Sequence, residues 1–317
     1  MQYFRRKKLV APNLRFSIYK EAYLCYTDCK VFWNTKVRKF GLKGDKMIKA
    51  VFCDLDGTLL GRDMMLSREN SAAISELEAA GVRFIPTSGR NFFEMPESIR
   101  RHEAINRYLC SNGSGYYNLK TGESRHKSLP ADKAASIIDM LGGMTVVPIV
   151  HSVDGRGYFD RANLDYGLMR DRRMSEYYCK YFFENAYAVD NMYRHFTEGI
   201  GINSICAFFK YDEEIDEAKS VLEQLGVGYT NSTFGELEIF NPTAGKGNGL
   251  REFAASHGLS LEETMAIGDS MNDKSMLEIT PNSVAVSNAN EKILEIARYV
   301  GCSNEEHIVR YVVDHIL

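Results

Sequence analysis

Met47-Ile-Lys-Ala-Val-Phe-Cys-Asp-Leu-Asp-Gly-Thr-Leu-Leu60 decides how the rest of the chain is read. Ile48, Ala50, Val51, Phe52 and Cys53 form a short, nearly unbroken apolar run, the pattern of a strand buried on both faces of a parallel sheet. The run stops at Asp54, Asp56 and Gly57. Two carboxylates two residues apart, just past the end of such a strand, can both aim into the crevice where open α/β folds bind ligands. Gly57 lets the chain leave the strand at a steep angle. Such a pair can hold a hard cation such as Mg²⁺, which prefers oxygen ligands and keeps waters and substrate phosphate in its shell. One carboxylate is then free to act as nucleophile and the other as acid or base. A calcium loop would need further ligands at alternate positions and a closing Glu, whereas Leu59 and Leu60 follow here. A surface turn with two solvated aspartates is the remaining reading of the isolated pattern.

Downstream, Ser67 can cap a helix whose apolar side is Ala73, Ile74, Leu77 and Ala80, with Gly81 placed to end it. Val82 to Pro86 reads as a second strand and ends in Thr87-Ser88-Gly89-Arg90, where a small hydroxyl and backbone N–H groups can meet a phosphate. About 30 residues between Asp56 and Ser88 leave room for one βαβ unit, so no domain is inserted there. Tyr108-Leu-Cys110 is a third strand, followed by an Asn112-Gly113 turn. From Leu129 to Glu238 the pattern changes. Apolar stretches at Met144 to Val150 and Ile202 to Phe209 alternate with helical ones at Ala131 to Met140 and Ile215 to Leu225, before Glu236 to Phe240 returns toward the core. This is far longer than an ordinary loop, and predicts a separate α+β domain over the crevice. The aromatics between Tyr158 and Phe196 are expected to be mostly core and surface, with a minority touching substrate.

Gly245-Lys246-Gly-Asn-Gly-Leu250 then opens a helix toward His257 but lacks P-loop spacing. A positive charge at that helix start could bridge a carboxylate and a phosphate oxygen. Ser260 and Glu263 make a capping box, and Thr264 to Ile267 is the next buried strand, ending in Gly268-Asp269-Ser-Met-Asn272-Asp273.

Asp54-Leu-Asp56-Gly-Thr58 resembles the first motif of the haloacid dehalogenase superfamily of phosphatases. Ser88, Lys246 and Gly268-Asp269-x-x-Asn272-Asp273 resemble its second, third and fourth motifs, in the correct order. An insert between the second and third motifs is similar to the Cof-type, C2-capped branch, whose members commonly hydrolyse sugar phosphates; that branch often has Thr where Ser88 stands. The resemblance implies a Rossmann-like parallel sheet with helices on both faces, built from 47–128 and 239–317, with 129–238 as an α+β cap. It also implies Asp54 as nucleophile, Asp56 as acid and base, and Mg²⁺ held by Asp54, Asp56, Asp269 and Asp273. Ser88, Gly89, Asn112, Lys246 and Asn272 would meet the substrate, with Ser88 and Lys246 also serving catalysis and Asp273 supporting Lys246. The expected activity is hydrolysis of a small phosphorylated metabolite through an aspartyl phosphate. A phosphomutase or a non-catalytic phospho-ligand sensor are the alternatives.

Composition agrees with a large core: 317 residues, 44% hydrophobic. Residues 1–46 stand apart, with twelve Lys and Arg against three Asp and Glu. The segment is therefore about nine charges positive, and the remainder about −12 within a chain at −3. It has no clean period and no secretory apolar stretch, and is expected to be a poorly ordered accessory or wrongly included extension with no nucleic-acid partner, a transit peptide or a basic nucleic-acid arm being the alternative readings. Seven scattered cysteines, Cys25, Cys29, Cys53, Cys110, Cys179, Cys206 and Cys302, read as reduced thiols of a cytoplasmic protein. No apolar run approaches the ~18 residues that would span a bilayer.

Overall fold

A computed structural model describes residues 47–197 and 199–317; the basic segment 1–46 lies outside the described residues. Strand β1 (Ala50–Cys53) lies between β2 (Arg83–Pro86) and β12 (Thr264–Gly268), and β13 (Ser283–Ala285) and β14 (Tyr299–Val300) extend the sheet beyond β12. All four neighbouring pairs are parallel. The apolar run in β1 is used on both sides, as a doubly covered strand requires. Val51 and Cys53 pack with Ala73, Ile74 and Leu77 of the helix Arg68–Ala79. Ala50 and Phe52 pack with Leu250 and Phe253 of the helix Lys246–Ser256. Ser67 caps the first of these helices by accepting the Asn70 N–H, and Gly81 follows its end with φ +82°.

Strand β3 (Arg107–Cys110) does not simply continue the parallel sheet. It pairs antiparallel with β4 (Gly115–Asn118), which pairs with β5 (Glu123–His126), and touches β2 through a single bridge between Thr87 and Leu109. The backbone explains this. Pro86 has no N–H to donate, and the Phe84 N–H is taken by Glu78 Oε1 at 2.8 Å, so that edge of β2 offers little to a further strand. Ser111, Asn112 and Gly113, with φ of +48°, +53° and +79°, then turn the chain back into β4.

A second sheet has the order β10-β11-β9-β6-β7-β8, formed by β6 (Val146–Ser152), β7 (Gly157–Asp160), β8 (Tyr187–Val189), β9 (Ile202–Phe209), β10 (Gly228–Thr230) and β11 (Glu236–Phe240). All its neighbours are antiparallel except β7 and β8. Period-two alternation sends Ile205, Ala207, Leu237 and Ile239 against the helices Ala131–Gly142 and Asp212–Leu225. Ile149, Cys206 and Phe208 point the other way, partly covered by Phe182 of the helix Glu176–Asn185. Among the described residues, Cys53, Cys110, Cys179, Cys206 and Cys302 are free thiols, and no helix is long and apolar enough to cross a membrane.

Candidate active site

Neighbouring parallel strands end at the same edge of the sheet, so β1, β2 and β12 deliver Asp54, Ser88 and Asp269 to one place. Lys246 comes from the first turn of its helix and is buried, its Nζ donating to Asp54 Oδ1 and Asp273 Oδ1 at 2.6 Å each. The other oxygen of Asp273 accepts the Asp269 and Ser270 N–H groups at 3.0 and 3.1 Å. Asp273 is thus engaged on both oxygens, as a brace for Lys246 and for the loop after β12. Thr58 Oγ1 donates to Asp269 Oδ1 at 2.7 Å. A Cβ on Gly57, whose φ is +78°, would sit 2.8 Å from Asp269 Oδ2, so a side chain there would collide with the acidic cluster.

Asp54, Asp269 and Asp273 each place a carboxylate oxygen within 4.8 Å of the others. Burial, then the charge of Asp273, push Asp54 well above the usual carboxylate range, against the pull of Lys246. Burial and Asp273 likewise lift Asp269 to about 6. One lysine does not balance three carboxylates, and the donor set is all oxygen. These residues fit a hard divalent cation such as Mg²⁺.

The side chain of Asp56, one of the expected metal ligands, is engaged by Arg90. Both its oxygens accept from the Arg90 guanidinium, at 2.7 Å each from Nε and Nη2. Arg90 is buried, donates also to the Glu94 carbonyl oxygen, and lies against the rings of Tyr177 and Tyr178. A buried guanidinium needs a planar anion, and Asp56 supplies it. Ser88 keeps its hydroxyl hydrogen, since Oγ accepts from the Arg90 N–H at 3.1 Å, but its own N–H is tied to Leu109. Asn112, expected to face substrate, lies outside the cavity lining. It donates its side-chain amide to Glu238, accepts from Asn272, and its carbonyl accepts the Gly245 N–H, so it braces the loop that carries Lys246. Asn272 and Gly89 do reach the cavity.

That cavity, of about 270 Å³, is walled on one side by Asp54, Asp56, Ser88, Gly89 and Asp269 and on the other by the second sheet. Tyr178 and Phe182 are the aromatics between 158 and 196 that line it; Tyr158 and Phe159 are in hydrophobic cores. Sequence reasoning missed Arg90, Thr58, Glu94, His151, Glu236 and Glu238. Arg90 and Thr58 stand inside the two quoted motifs. Glu236-Leu-Glu238-Ile alternates polar and apolar, which signals one polar face, although both carboxylates are buried.

His151 and Glu94 form a buried ion pair at 3.0 Å. Burial alone would lower the His151 pKa, but Glu94 more than offsets this and the net shift is upward. Glu236 is pushed up to about 8 by burial and then by Glu238. A carboxyl whose folded pKa lies above its unfolded value of 4.5 contributes stability below that value and loses it as pH rises through the folded pKa. The melting temperature is therefore expected to fall between about pH 5 and pH 8.5, by the equivalent of a few kcal/mol at ~1.4 kcal/mol per unit, with Asp269 contributing in the same direction at lower pH. Glu236→Gln should flatten the upper part of this slope; a melting profile of the variant parallel to that of the wild type up to pH 8.5 would show that Glu236 is ionised throughout.

Comparison with known proteins gives a consistent picture. The family of haloacid dehalogenase-like hydrolases matches residues 51–313. Phosphatase YwpJ of Bacillus subtilis (strain 168) is 28% identical over 289 residues, spanning 85% of this chain and 100% of the relative. The solved structure of a haloacid dehalogenase-like hydrolase from B. subtilis superposes with a TM-score of 0.73 at 26% identity, over 85% of this chain and 100% of that one. The subclass IIB sugar phosphatase BT4131 superposes with a TM-score of 0.72 over 84% of this chain and 98% of that one; at 19% identity this likeness concerns the fold.

Proposed function

Since the chain belongs to the haloacid dehalogenase-like hydrolases, we propose that it is an Mg²⁺-dependent phosphatase of small phosphorylated metabolites, sugar phosphates among them, working through an aspartyl phosphate. The observation that carries this reading is the buried Lys246 bridging Asp54 and Asp273 at the strand edge where Ser88 and Asp269 also arrive. Asp54 and Asp269 would hold the cation, which when bound supplies positive charge against the phosphate dianion.

Lys246 fixes the Asp54 carboxylate through one oxygen and leaves the other facing the cavity. That oxygen would bond to phosphorus in line as the bond from phosphorus to the alcohol oxygen breaks. The Ser88 hydroxyl would donate to a phosphoryl oxygen. Asp56, after turning one oxygen from Arg90 toward the leaving group and taking up a proton from solvent, would give that proton to the departing alkoxide and later take one from the water that attacks phosphorus, releasing Asp54 and inorganic phosphate. Residues 129–238 would act as the cap, and the cavity it closes limits the size of the alcohol.

Phosphate release from a panel of phosphomonoesters, with Mg²⁺ and after chelation, tests this reading. Turnover is expected only with the cation, with sugar phosphates favoured over phosphopeptides by at least roughly tenfold in kcat/KM. Equal rates on a phosphopeptide and on hexose phosphates, or full activity after chelation, would refute it.

A further inference from the structure

The wall of the cavity opposite Asp54 is one face of the second sheet. Ile149 and His151 of β6, Cys206 and Phe208 of β9, and Glu236 and Glu238 of β11 alternate along their strands and all line the same space. Cys206 is the cross-strand partner of Glu238. Glu236 and Glu238 are only 7% and 3% exposed. Like charges buried side by side on one strand are costly unless a cation or donors meet them.

The protein supplies donors, and the charge of His151, which Glu238 and Glu236 also favour, is already paired with Glu94. Glu238 accepts from the Asn112 amide, and the single hydroxyl hydrogen of Ser232, 3.0 Å from Glu238 Oε1 and 2.7 Å from Glu236 Oε2, is shared between the two glutamates. Glu236 Oε2 takes all the bonds that Glu236 receives, from Ser232 Oγ, the Thr233 N–H and Thr233 Oγ1 at 2.7, 3.3 and 3.1 Å. Its Oε1 has no donor, on a side chain more than nine-tenths buried that lines the cavity. Among the described residues no Lys or Arg forms an ion pair with either glutamate. The cationic groups that do reach the cavity are already matched, Arg90 by Asp56 and His151 by Glu94.

The reaction itself would bring a ligand to this spot, because a phosphomonoester with its phosphorus beside Asp54 shares the cavity with this face of the second sheet. We infer that this alcohol carries an amino group, and that the substrates are phosphomonoesters of amino sugars or similar amino alcohols, with the ammonium seated on Glu236 and Glu238. Hydroxyl groups could also donate to these oxygens, but an ammonium supplies in addition the positive charge that would let both carboxyls ionise. Phe182, Phe208 and Ile149 provide apolar surface for the carbon skeleton beside it. The upward-shifted Glu236 carboxyl agrees with this arrangement, since a bound ammonium would replace the proton that burial and Glu238 favour.

This inference rests on the phosphatase reading, and the experiment separates the two. Amino phosphates, including glucosamine 6-phosphate and phosphoethanolamine, are each compared with their neutral counterparts, such as glucose 6-phosphate and N-acetylglucosamine 6-phosphate. At least one amine is expected to exceed its neutral partners by about tenfold or more in kcat/KM, mostly through KM. Glu236→Gln, which keeps shape and volume, should bring that ratio to about one. Phosphate release with no amine preferred over its neutral counterpart overturns the inference alone. No release from any ester, p-nitrophenyl phosphate included, overturns the phosphatase reading and the inference with it. Cys206, Glu236 and Glu238 also present ligand atoms within 4.8 Å of one another, so zinc is titrated in excess Mg²⁺. Tight zinc binding that Cys206→Ser removes would make the missing cation a resident metal and overturn the substrate assignment.

Discussion

Asp54→Asn is expected to lower kcat by roughly 10⁴-fold or more while the protein stays folded. The variant keeps the shape of the side chain but replaces the carboxylate proposed to attack phosphorus with an amide, and loss of a covalent nucleophile is among the largest single-residue effects on an enzyme. Stability should move the other way or not at all. Asp54 sits with Asp269 and Asp273 in a cluster that raises its own pKa by burial and by the charge of Asp273, so neutralising it removes repulsion. Lys246 still has Asp273 at 2.6 Å. The expected result is a near-inactive protein with an unchanged or higher melting temperature and weaker Mg²⁺ binding. Steady-state phosphate release, thermal melting and a search by mass spectrometry for a phosphoryl adduct in the wild type check it. Hydrolysis by the variant within about a hundredfold of the wild type would refute attack by Asp54.

Lys246→Met should lose both activity and stability, and the two losses can be told apart. The side chain is fully buried with its ammonium shared between two carboxylates. Burial alone would lower its pKa, but Asp273 and Asp54 more than offset that and hold it well above the ordinary lysine range. Removing one partner of such a buried pair leaves uncompensated charge, at a cost of about 3–5 kcal/mol. Activity should fall by roughly 10³-fold, because a fixed positive charge beside the reacting phosphate is gone. Adding Asp273→Asn to Lys246→Met should recover much of the melting temperature and none of the activity, since the residues share one network. If Lys246→Met melted like the wild type, the lysine would not be the counterion that the geometry makes it. If it retained near-normal turnover, its place beside the nucleophile would carry no chemistry.

Much of the fold was written in local patterns. The apolar run ending in Asp54 is legible because a strand covered on both faces has no polar positions until it leaves the sheet. Ser67, Gly81 and the Ser260–Glu263 capping box marked element ends by backbone chemistry that acts over three or four residues. β3 was harder, because its departure from the parallel sheet depends on Pro86 lacking an N–H and on Glu78 reaching back to Phe84, and the second of these is a contact no period reveals.

The residues of the site divide along the same line. Asp54, Ser88, Lys246 and Asp269 could be picked out because each stands at a strand end or a helix start, and a parallel sheet carries such positions to one edge. What these residues touch was settled by tertiary structure alone. Asp56 faces Arg90 rather than the acidic cluster, Asp273 is taken up by Lys246 and two backbone N–H groups, and Asn112 lies beneath the cavity against Glu238. Glu236 and Glu238 sit 180 or more residues from Asp54 in sequence, yet they share a cavity with it. Short-range pattern fixes which way a side chain points from its own strand; its charge partner is fixed by the packing of one sheet against the end of another.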